Sequence, residues 1–82
     1  MAAETPSTEP SLEATAQRTT DRLALALEEV GFDVGRAFPM LRSCVDREDL
    51  SVIELGRVTE EVAASLSALL MRAARQGVTL PP

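Results

Sequence analysis

Histidine, lysine, asparagine, tyrosine and tryptophan are all missing from this sequence, and cysteine occurs once, as Cys44. Each absence removes a chemistry. Without an imidazole, amine or phenol no side chain is a ready general base near neutral pH, and Cys44 has no imidazole to activate it as a nucleophile. A single thiol excludes an intrachain disulfide. With no histidine beside it, that thiol cannot assemble the usual tetrahedral zinc sphere. Gly31 and Gly35 enclose Phe32-Asp33-Val34 with no Lys-Ser or Lys-Thr after them, so they do not form a phosphate-binding loop. The expectation is a chain without catalysis, cofactor or metal.

Long apolar runs are scarce as well. No stretch approaches the length of a membrane span, and Met1 to Pro6 lacks the basic and apolar character of a signal sequence. A lone cysteine suits a reducing compartment, so the cytoplasm is the expected location. Positive charge is in short supply: 8 basic residues, all arginine, stand against 13 acidic ones, for a formal net charge of -5. Such a balance offers no overall field to attract a polyanion, which disfavours nucleic acid as a partner. The abundance of Ala, Leu, Val, Glu and Arg fits a GC-rich bacterial coding sequence.

What is present makes one small domain. A chain of 82 residues buries proportionally little surface, so its core is thin. Small folds compensate with disulfides, metals or oligomerisation. The first two being excluded, the sequence points to self-association.

Residues 1–10 hold two prolines among small, polar and acidic residues and read as a disordered arm. The single domain then covers residues 11–77, and residues 78–82 form a short tail. Ser11 is a candidate N-cap for a helix over about 12–30, with Leu12, Ala16, Thr19, Leu23, Ala26, Leu27 and Val30 as its apolar stripe and Gly31 as the stop. A second helix is the clearest element. Thr59 caps it, Glu60 and Glu61 stand in its first turn, Val62, Leu66, Leu69, Leu70 and Ala73 make its stripe, Arg72 and Arg75 occupy its last turn, and Gly77 ends it.

Between the helices, Pro39 and Gly56 disfavour helix, and Ser51-Val52-Ile53 favours strand. The expected architecture is therefore an α+β module in the order α-β-β-α, with one antiparallel hairpin between two amphipathic helices. Its strands are about Phe38 to Val45 and Leu50 to Arg57, joined by Asp46-Arg47-Glu48-Asp49. That loop length sets Ser43 opposite Val52 and Arg42 opposite Ile53, and leaves both hairpin faces mostly apolar. A competing all-α reading, a helical hairpin or bundle, begins the last helix at Ser51 as a capping box. It uses the four-and-three spacing of Leu55, Thr59, Val62, Leu66, Leu69 and Ala73 as a seam.

A hairpin apolar on both faces is marginal alone, and a second copy would cover what the helices do not. The expected function is thus a non-catalytic protein–protein interaction or adaptor module, homodimeric and able to bind a further protein. Phe38, Met40, Arg42, Ile53, Leu55 and Arg57 are its candidate interaction residues. The alternative is a small transcriptional regulator, or an accessory subunit of one, reaching DNA through the arginine-bearing hairpin.

Overall fold

The computed structural model describes residues 12–45, 48 and 51–82. The expected arm at residues 1–10, the Ser11 cap and most of the hairpin connection lie outside these residues. The described elements follow in the order α1 (Leu12–Glu29), α2 (Val34–Ala37), β1 (Arg42–Val45), β2 (Ser51–Glu54) and α3 (Glu60–Arg75). This is the α+β module that the sequence implies, a two-stranded antiparallel ribbon with helices flanking it.

Both long helices stop in the same way. The Phe32 N–H donates to the Leu27 carbonyl at 3.0 Å and the Gly31 N–H to the Glu28 carbonyl at 3.0 Å. At the end of α3, Val78 donates to Ala73 at 2.9 Å and Gly77 to Ala74 at 3.0 Å. These paired bonds are Schellman motifs, closed through glycines with φ of +112° and +83°. After α1 the chain makes the single turn α2, which the sequence reading did not anticipate, and Phe38 then comes to lie 5% exposed. The Phe38 ring meets Phe32 edge-on, with centroids 5.4 Å apart and planes at 87°. That contact ties the end of α1 to the entry of the hairpin.

Three expectations need correction. First, β1 begins at Arg42 and not at Phe38. Residues Phe38 to Leu41 form a β-turn closed by Leu41 N–H to the Phe38 carbonyl at 3.1 Å, with Pro39 in the position that its fixed φ suits. Likewise β2 ends at Glu54, and Gly56 follows with φ +78°. A Cβ at Gly56 would overlap the Cβ of Met40, so a glycine is required there by both conformation and space.

Second, the strand register is one residue away from the expected one. Arg42 faces Glu54, Ser43 faces Ile53, Cys44 faces Val52 and Val45 faces Ser51. This pairing opposes opposite charges, and Arg42 Nε donates to Glu54 Oε1 at 2.9 Å. It also turns Ser43 and Ser51 towards α1, where Ser43 Oγ donates to Gln17 Oε1 at 3.1 Å and Ser51 Oγ to the Leu12 carbonyl at 2.8 Å. One step of register exchanges the faces of every side chain. The face away from α1 therefore carries the Arg42–Glu54 ion pair beside Cys44 and Val52, and is not the apolar surface expected.

Third, the inward stripe of α1 runs through Ala16, Thr20 and Leu27, which are buried, with Leu23 and Ala24 half-buried between them. Leu12 and Val30 are exposed and Thr19 points outward. Thr20 is tolerated inside because its hydroxyl donates to the Ala16 carbonyl at 2.8 Å.

The substantial packing contacts among the described elements join β1 to β2, α1 to each strand and α1 to α2, and α3 shares in none of them. No residue of α3 is buried. The radius of gyration, 16.6 Å, exceeds the roughly 12 Å of a compact chain of this length.

Candidate functional site: an apolar groove along the last helix

The groove follows from how α3 is built. Thr59 has extended backbone and its Oγ1 accepts from the Val62 N–H at 3.2 Å, which fixes the first turn. Glu60 and Glu61 lie at the positive end of the helix dipole and Arg72 and Arg75 at the negative end. Both ends of the helix are thus satisfied locally, within its first and last turns. Its apolar side then stands open.

Along that side, Phe38, Leu55, Val58, Val62, Leu66 and Leu70 line an open groove of about 470 Å³, continued by Met71 and Ala74. Val62 and Leu66 are half-buried by the groove walls, whereas Leu70 is 61% exposed, Met71 54% and Leu55 49%. On the flank nearest the body of the protein, Leu69 and Ala68 border a second hollow with Val30 and Phe32. The helix thus touches the rest of the chain by one edge and leaves a broad apolar arc uncovered.

Two of the six candidate interaction residues, Phe38 and Leu55, meet in this groove. Met40 is exposed and stands against Gly56, at the rim. Ile53 is half-buried opposite Ser43, on the ribbon face turned to α1. Arg42 is held by Glu54, whose hydrogen bond and charge keep the guanidinium protonated even more firmly than usual. Arg57 is exposed on the link between β2 and α3. Neither arginine nor Ile53 is among the residues lining the groove.

Of the groove residues, Val58 and Met71 were not singled out by sequence reasoning, and Val62, Leu66 and Leu70 were assigned to the buried stripe of the helix and not to an interaction site. A signal for some of them was present. The four-and-three spacing through Val62, Leu66, Leu69 and Ala73, weighed as evidence for a longer helix, marks the half-buried side of α3, and Leu70 and Met71 stand exposed beside it.

Among the described residues no three His, Cys, Asp or Glu side chains gather where they could hold a metal ion. Cys44 is half-buried, facing Val52 across the ribbon. No helix among the described residues is long and apolar enough to cross a membrane. Comparison with family models, curated proteins and solved structures finds no match to this chain.

Proposed function

We propose that this chain is a non-catalytic protein-interaction module that works as a homodimer in the cytoplasm, with the groove along α3 as its binding surface. The observation that carries this reading is the groove itself. A run of apolar side chains including Leu55, Val58, Leu70 and Met71 is left facing solvent beside a well-capped helix. Contiguous exposed apolar surface of this kind marks interaction sites on small soluble domains. A chain with three buried apolar residues among those described, Ala16, Leu27 and Phe38, has every reason to recruit more interior from a partner.

Protein is favoured over DNA as the partner because Arg42, the hairpin arginine best placed to read a groove, is engaged by Glu54. The experiment is the mass of the intact 82-residue chain by size exclusion with light scattering, over a dilution series. Twice the chain mass of 8.8 kDa at tens of micromolar is the expected result. A mass of 8.8 kDa throughout would remove the homodimer.

A further inference from the structure

We infer that the hollow bordered by Ala68, Leu69, Met71, Arg72 and Arg75 docks an acidic segment of another protein, one that sets carboxylates against the two arginines and apolar side chains against Leu69 and Met71. The hollow is separate from the groove and shares only Met71 with it. The inference therefore goes beyond the homodimer reading and does not depend on how the groove is filled.

The first observation is where charge falls along the chain. All 13 acidic residues lie at or before Glu61, and beyond it the charged side chains are Arg72 and Arg75. A chain of net charge -5 thus carries a positively charged stretch over residues 62–82. An acidic partner is repelled by the chain as a whole and attracted here, which fixes where it lands.

The second is that these two charges are unmet. Arg72 and Arg75 are exposed, and neither meets a carboxylate among the described residues, whereas Arg42 is held by Glu54. The positions one helical turn to either side of them hold no acidic residue. Two guanidiniums three residues apart on a helix repel each other. A carboxylate placed between them relieves that repulsion and accepts charge-assisted hydrogen bonds from both.

The third is the floor beside the arginines. Ala68, Met71, Arg72 and Arg75 follow at the spacing of one helix face, with Leu69 next to them, and border a hollow of about 470 Å³. The helix dipole accounts for positive charge in this turn, but not for its setting beside Leu69 and an exposed Met71. A small inorganic anion would use the guanidiniums and leave the apolar floor wet. A segment that mixes acidic with apolar residues uses both. Two arginines are too few to hold an anionic membrane, since each adds only about fivefold to the affinity for a lipid surface, and the 13 carboxylates of the chain oppose it.

Fluorescence anisotropy tests this with the intact chain and a set of labelled short peptides. The peptides share the same leucines and carry glutamate, glutamine or lysine at the positions between them. The glutamate peptide is expected to bind about tenfold more tightly than the glutamine peptide at low salt, and the difference to close in Arg72→Gln/Arg75→Gln. Arg72→Glu/Arg75→Glu should transfer the preference to the lysine peptide, which loss of helix alone would not produce. Vesicles of phosphatidylcholine with phosphatidylserine should not sediment with the protein. Equal affinity for all the peptides, no binding of the glutamate peptide, a glutamate preference that survives Arg72→Gln/Arg75→Gln, or sedimentation with the vesicles that requires the arginines would overturn the inference. A wild-type mass of one chain, with the glutamate preference intact, would remove the homodimer alone.

Discussion

The two long helices of this protein are built to the same standard and used differently. Both end in Schellman motifs, and α3 starts on the Thr59 cap with two glutamates in its first turn. Yet α1 buries Ala16, Thr20 and Leu27 against the strands and α2, and α3 buries nothing. Even their exits diverge: the motif that closes α1 delivers Phe32 onto Phe38, and the one that closes α3 delivers Val78 to solvent. Capping and periodicity decide that a helix forms. What it packs against is a separate matter, decided here by the turn at Phe38–Leu41 and by the glycine at 56, which together aim α3 away from the ribbon.

That division means that perturbations should fall unequally on the two regions. The largest effect is expected from Phe38→Ala, at the one buried aromatic that belongs to both the core and the groove. Truncating a buried phenylalanine costs about 3–5 kcal/mol, a large part of the ~5 kcal/mol available to a small domain. Urea denaturation followed by circular dichroism should show the cooperative transition lost or moved close to zero denaturant. A variant that unfolds at the wild-type midpoint would mean that the core lies elsewhere.

Gly56→Ala acts at the junction between the regions. The positive φ alone costs an alanine about 1–2 kcal/mol, and the new methyl overlaps Met40 as well. Gly31→Ala is the control, since a Cβ there meets nothing within 4 Å. Thermal melting should rank Gly56→Ala below Gly31→Ala, and the reverse order would show that Met40 moves aside freely.

Smaller still is Thr59→Ala, which removes the cap of α3 for about 1 kcal/mol and should reduce helical signal without loosening α1. Proton exchange resolved by residue would check that asymmetry.

Arg42→Ala is expected to change least, because its ion pair with Glu54 is solvent-exposed. The sign of its linkage is clear. A guanidinium whose folded pKa is raised contributes below its unfolded value and loses that contribution only as pH rises through the folded one. The gap between variant and wild type should therefore be the same at about pH 6 and about pH 9. A gap that opens within that range would implicate another group.

Much of this fold was legible from residue types, and the reasons are local. Thr59, the two glutamates, the two arginines and Gly77 each act within one helical turn, so the bounds of α3 could be read directly. Pro39 and Gly56 likewise argued correctly against a long helix through the middle of the chain. Register was less legible, because residues 38–45 look like one strand until Pro39 is assigned to a turn, and the polar residues between the strands allow more than one pairing.

The groove was legible in half. Phe38 and Leu55 were chosen as sticky residues of a hairpin face, and they do face a common space, but that space belongs to α3. Whether an amphipathic helix lies on its own sheet is a long-range property, and its stripe of Val62, Leu66 and Leu70 reads the same in either case.

The central claim is that α3 is completed by a partner and not by its own chain, and Leu70→Arg tests it most directly. Leu70 is 61% exposed in the single chain, and arginine is a good helix former placed near the negative end of the dipole. On a self-sufficient helix the change is harmless. The account predicts that hydrogen exchange across Glu60–Arg75 becomes fast in this variant while Leu12–Glu29 keeps its protection, with the mass falling to that of one chain. Wild-type protection of α3 and an unchanged mass in Leu70→Arg would contradict it.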